Sequence, residues 1–91
     1  MTVTDSWIWV FNGPNSPLPS ACFGSKSQAE EWIRDNRATG ILTKMPVGTS
    51  VYHWAIDNGY FEPKGPHQTG PKFVSNFTSA YLEHYHYERG E

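Results

Sequence analysis

The sequence predicts a small α+β domain: an antiparallel or mixed sheet of three to four strands with two helices packed against it. Three observations predict it. Residues 6–12, Ser-Trp-Ile-Trp-Val-Phe-Asn, alternate between two faces as a strand does. Two later segments, around Trp32 and around Trp54, space apolar residues at i, i+3 and i+4, the stripe of an amphipathic helix. A chain of 91 residues falls within the range of about 50 to 250 residues of one domain, with an ordered core expected over about residues 6–88.

The first strand places Trp7, Trp9 and Phe11 on one side and Ile8 and Val10 on the other. Two apolar faces predict a strand covered on both sides or an interior strand of the sheet. Asn12-Gly13-Pro14 breaks it, and three prolines up to Pro19 make the following stretch a loop. Ala21-Cys22-Phe23 reads as a short second strand with Cys22 as a small buried hydrophobe. Ser25 and Ser27 are both helix N-caps by type, with Gln28 and Glu30 respectively three residues on to close a capping box. Ala29, Trp32 and Ile33 form the apolar stripe, and Glu30 and Arg34 an outer i, i+4 pair. This helix is expected to end near Ala38, with Gly40 as its left-handed C-cap.

Ile41 to Val47 predicts a third strand, whose Pro46 points to a sheet edge or a bulge. Thr49 or Ser50 then caps a second helix, in which Val51, Trp54 and Ala55 make the stripe and Tyr52 and Ile56 broaden it. Asn58-Gly59 ends it. Residues 62–72 hold three prolines and two glycines and are expected to form an irregular loop, after which Phe73, Val74 and Phe77 suggest a short helical turn. Leu82 to Glu88 predicts the last strand, with Tyr85 and Tyr87 on one face and His84 and His86 on the other.

Composition narrows the function. Fourteen aromatic residues make up 15% of the chain, four of them tryptophan, and charged residues only 18%. That is the composition of a folded domain, not of a disordered one. Trp7, Trp9, Phe11, Trp32 and Trp54 are expected to form the scaffold. Net charge is −2, with seven basic residues scattered along the chain, so a phosphate-neutralising patch for nucleic acid is not expected. Cys22 is the only cysteine, which excludes an intrachain disulfide and a cysteine-based zinc motif. The first five residues lack the pattern of an export signal, and no run of about 18 apolar residues suggests a membrane span. A cytoplasmic location is the expectation, and in it the Asn76-Phe77-Thr78 triplet is a chance glycosylation match.

Few constellations carry chemistry. His84 and His86, two apart on a strand, point the same way about 6.5–7 Å apart and are near enough to share a metal ion. A site needs a third ligand and usually a fourth, and no spacing in the sequence supplies one, so two imidazoles on a solvent-facing strand is the preferred reading. His67 sits in the Pro/Gly-rich loop, where contact residues are common. His53 and Asp57 stand at i, i+4 on the second helix, the spacing of a solvated surface pair more often than of a dyad. No Gly-rich phosphate loop, nucleophile elbow or HExxH occurs, and no cofactor is implied. The aromatics have a functional reading of their own, because such rings are enriched at binding hot spots. Tyr52, Tyr81, Tyr85 and Tyr87 are the expected surface members, since their hydroxyls need water or a partner.

The chain resembles a family of small, uncharacterised, mainly bacterial proteins. The resemblance rests on Trp9-Val10-Phe11-Asn12-Gly13, Ala29-Glu30 with Trp32-Ile33, and Gly40-Ile41-Leu42-Thr43 before Pro46-Val47. It continues through Trp54-Ala55, Gly59 to Lys64, and Glu83-His84-Tyr85-His86-Tyr87-Glu88. It implies a stand-alone domain and brings no catalytic residue with it. The functional expectation is a non-catalytic binding module, a monomer or small homo-oligomer, that meets a protein partner through Tyr85, Tyr87, His84, His86 and His67. The alternative is a metal-binding protein or metal-dependent enzyme using His84 and His86.

Overall fold

Residues 6–91 are described by a computed structural model; the N-terminal stretch read above for an export signal lies outside them. The elements are β1 (Trp7–Asn12), β2 (Ala21–Phe23), α1 (Lys26–Asp35), β3 (Gly40–Pro46), α2 (Val51–Asp57), a 3₁₀ turn (Pro66–Gln68), α3 (Pro71–Asn76) and β4 (His84–Tyr87). They fall into two compact units, one of residues 7–45 with 82–91 and one of residues 46–81 with Ser6. The class is α+β, with one four-stranded sheet in the order β2-β1-β3-β4.

In the first unit β1 pairs antiparallel with β2, Val10 opposite Cys22, and β3 pairs antiparallel with β4, Leu42 opposite Tyr85. β1 and β3 are neighbours that also run oppositely. Val47, just after β3, donates its N–H to the carbonyl of Ser6, just before β1, while Gly40 at the start of β3 lies against Asn12 at the end of β1. β1 is therefore the interior strand that its two apolar faces suggest. Trp9, Phe11 and Leu42 share one face, buried against Ala29 and Ile33 of α1. Phe11 and Trp32 meet edge to face at 5.5 Å between centroids. Ile8 and Val10 on the opposite face are half-buried.

Local chemistry starts α1 as expected and stops it differently. Ser25 is the N-cap, its Oγ accepting from the Gln28 N–H, while Gln28 Oε1 reaches back to the N–H of Gly24, one residue before the cap. The helix ends at Asp35, before Ala38, and the left-handed residue is Arg37 with φ 51°, not Gly40. Arg37 N–H bonds to Arg34 and Ala38 N–H to Ile33, the two closing bonds of a Schellman motif. Gly40 belongs to β3, where a Cβ would stand 2.1 Å from the Asn12 carbonyl oxygen and 2.7 Å from Phe11 Cζ. Its role is close approach between strands, which only the tertiary pairing creates. Pro46 likewise closes an interior strand, not an edge strand.

Cys22, expected inside, is exposed, because β2 is an edge strand and Cys22 shares its face with Val10, away from α1. The outer Glu30–Arg34 pair does not form: Glu30 instead accepts from the Tyr87 hydroxyl of β4 at 2.8 Å.

The second unit is built on α2 and a cluster of rings. Ser50 caps α2 by accepting from the His53 N–H, and Gly59, with φ 77°, closes it in a Schellman motif through Ile56 and Ala55. Residues 62–72, expected to be irregular throughout, hold the 3₁₀ turn and the start of α3. Pro66 and Pro71 each occupy a first-turn position, where the missing N–H costs nothing. Gln68 fixes this segment twice, its Oε1 accepting from Lys64 N–H at 2.7 Å and its carbonyl from the Tyr52 hydroxyl at 2.7 Å. Tyr52, expected on the surface, is buried, with Phe61, Phe73 and Phe77 at 5.8, 6.1 and 5.4 Å from its ring. The carbonyl of Gln68 gives its hydroxyl a partner inside the unit, so burial leaves nothing unsatisfied.

Candidate functional site

Strand alternation puts the four β4 residues singled out by the sequence on two faces. Tyr85 and Tyr87 face α1 and are half-buried against the core cluster. The Lys26 ammonium sits 3.8 Å from the centroid of the Tyr85 ring, a cation–π contact, and Trp9 lies 6.2 Å away on a tilt. The Tyr85 hydroxyl donates to the Glu83 carboxylate. Tyr87 is held by Glu30, and burial first, then the bond to that carboxylate and its charge, push the phenol well above its ordinary pKa. Both hydroxyls thus already have partners within the unit.

His84 and His86 occupy the other face, both exposed, with ring centroids 5.5 Å apart. His84 Nδ1 lies 2.7 Å from the carbonyl oxygen of Leu82. A carbonyl only accepts, so Nδ1 is the donor in this contact and Nε2 is left facing away from it. That arrangement orients a histidine for hydrogen bonding or for a metal ion. Among the described residues, however, no group of three or more His, Cys, Asp or Glu side chains comes close enough to hold one. His53 Nδ1 pairs with Ser50 Oγ at 2.7 Å, so its ring serves the helix cap and is not oriented by Asp57.

His67 lies in the second unit, apart in the chain from the β4 residues, and it borders a cleft. That cleft holds about 580 Å³ and is lined by His67, Lys72, Phe73, Asn76, Phe77 and Thr78. Its walls come from α3 and the residues just after it, and the rings of Phe73 in the helix and Phe77 at its C-cap stand 5.9 Å apart. A second groove of about 580 Å³ runs along Ile56, Tyr60, Phe61, Pro63, Lys64 and Gln68.

Tyr60, on the wall of that groove, stacks on Tyr81 with centroids 4.3 Å apart and planes 6° from parallel. Trp54 backs Tyr60 at 5.4 Å. Tyr60 is 46% exposed and Tyr81 66% exposed, so a preformed pair of rings faces solvent. Sequence reasoning named Tyr81 as a surface residue and missed Tyr60. The two are 21 positions apart, Tyr60 directly after the helix-ending Gly59, and no periodicity joins them.

Residues 8–91 match the family described as Domain of unknown function (DUF7710). No curated protein and no solved structure matches the chain. No helix among the described residues is long and apolar enough to cross a membrane.

Proposed function

The chain belongs to the family described as a domain of unknown function, DUF7710, and on its own geometry we propose that it is a non-catalytic binding module. It engages a protein partner through the exposed aromatic surface at Tyr60 and Tyr81. The stacked pair is the observation that carries the reading. Two large rings left in water forgo the stabilisation that burial would give, about 25 cal/mol per Å² of apolar area. Held against each other and against Trp54, they lose little rotamer freedom when a partner covers them. Tyrosine supplies both apolar area and a hydroxyl, which is why it is enriched at hot spots. The adjoining groove along Pro63 and Lys64 extends the surface.

This reading moves the expected contact surface from Tyr85 and Tyr87, whose hydroxyls are engaged by Glu83 and Glu30, to the loop-borne tyrosines. A metal-dependent role for His84 and His86 has the orientation of the His84 ring in its favour and lacks a third ligand among the described residues. The binding reading is therefore preferred. Its test uses the domain as bait to isolate a partner, then measures affinity with both proteins purified. Tyr81→Ser, at the more exposed ring, should keep the thermal transition and weaken binding about tenfold or more. Tyr85→Ser should weaken it much less. Wild-type affinity in the Tyr81 variant would sink the proposal.

A further inference from the structure

The cleft beside α3 has a chemistry separate from the stacked tyrosines, and we infer that it is a site for an apolar, preferably aromatic, carboxylate. Its volume of about 580 Å³ lies within the range of about 300–1,000 Å³ of small-ligand sites. Phe73 and Phe77, tilted 47° to each other, supply apolar ring surface against which a flat apolar group can pack. Tyr52 and Phe61 pack behind both rings, so the walls are held from within the unit.

The rim selects charge. No acidic side chain lines the cleft, while Lys72 brings an ammonium and His67 an imidazole. Neither of the two ion pairs in the described residues involves Lys72. Asn76 turns its Nδ2 inward to donate to the Lys72 carbonyl at 2.7 Å, which anchors the side chain at the rim. Lys72 and Thr78 line the same cleft and are donors by type, with His67 able to join them. Donors around an apolar floor match an anion joined to an apolar body, because each half of such a ligand meets its own chemistry. A cation would meet Lys72 without any compensating carboxylate.

Two sources share this chemistry, a free aromatic acid and the C-terminal carboxylate of a chain that ends in an aromatic residue. The full chain, labelled with ¹⁵N, is titrated with 2-naphthoate, with neutral 2-naphthamide, and with acetyl-Gly-Gly-Phe as acid and as amide. Naphthoate should shift amides within residues 67–78 and bind about fivefold tighter than naphthamide at low salt, an advantage that shrinks as salt screens it. Lys72→Met keeps most of the aliphatic stem and should erase that advantage while leaving naphthamide binding unchanged. If the peptide acid outbinds naphthoate, the source is a chain terminus; if it binds more weakly, the source is a free acid. Equal affinity for naphthoate and naphthamide, or shifts outside residues 67–78 alone, would overturn the inference. Tyr81→Ser should leave this titration unchanged, so the cleft and the protein-binding surface stand or fall separately.

Discussion

The Tyr87 hydroxyl donates to Glu30 across the gap between β4 and α1, tying the last strand to a helix 57 positions earlier. Burial and the neighbouring carboxylate both favour the neutral phenol, so the folded state holds this proton more tightly than the unfolded chain does. Tyrosines of an unfolded chain ionise near a pH of about 10. Stability from this group is therefore complete below that pH and falls as pH rises above it, because the unfolded state sheds the proton first. Tyr87→Phe should cost about 1 kcal/mol at neutral pH, below the range of about 1.5–3 kcal/mol for a bond to a charged acceptor, since both side chains are only half-buried. It should also lose stability less steeply between pH 9.5 and 11, as flagged by an onset of about 10 for the free phenol. Urea titrations followed by tryptophan fluorescence check both, and parallel pH slopes for variant and wild type would contradict the assignment. Alternation along β4 placed Tyr87 opposite the histidine face; it carried no information about Glu30.

Caps and turns follow rules that act over three or four residues, and these were legible. Ser25 and Ser50 start their helices, and Gly59 ends α2, as their types require. Gly40 shows where such rules stop. By sequence it suits a helix C-cap, but Arg37 takes the left-handed position and Gly40 serves β3, beneath Phe11 and against Asn12. A side chain there must push backbone from backbone across two interior strands, since the nearest obstacle is a carbonyl oxygen at 2.1 Å. Gly40→Ala should cost at least about 2 kcal/mol, as overpacked sites do when the neighbour cannot yield. Gly13→Ala is the control, because nothing lies within 4 Å of a Cβ at that position. Comparable losses in the two variants by thermal denaturation would contradict the close-approach account. The 62–72 segment failed in the opposite sense: its prolines looked like breakers, yet two of the three, Pro66 and Pro71, act as first-turn residues of two short helices.

The sheet is closed around a long insertion, since β3 and β4 are paired neighbours whose connection spans residues 47–83. The Lys44 N–H bonds to the Glu83 carbonyl at 2.9 Å, and the Lys44 ammonium reaches the Glu83 carboxylate at 4.0 Å, so the two strands already lie side by side where the insertion leaves them. The core of Trp9, Phe11, Ala29, Ile33 and Leu42 lies wholly in residues 7–45. Replacing residues 46–81 by an Asn-Gly turn should thus leave a folded sheet with α1, because a two-residue turn joins antiparallel neighbours directly. Near-ultraviolet circular dichroism and a cooperative thermal transition would report it; a chain without either would show that the sheet needs the inserted segment.

The sequence by itself determined the α+β class, the position of each strand, the two longer helices with their N-caps, and Trp9, Phe11 and Trp54 as buried scaffold. Each of these follows from periodicity or from the conformational preference of one or two adjacent residues. Tertiary structure decided the rest. Cys22 is exposed because β2 lies at the edge, Tyr52 is buried because Gln68 supplies its acceptor, and Tyr85 and Tyr87 are engaged because α1 presents Lys26 and Glu30 to them. The surfaces proposed to bind, the Tyr60–Tyr81 stack and the cleft beside α3, come from a segment without a long period, in which proline-started turns set which rings face one another. Pairings across tens of residues are fixed by packing, and no local pattern encodes them.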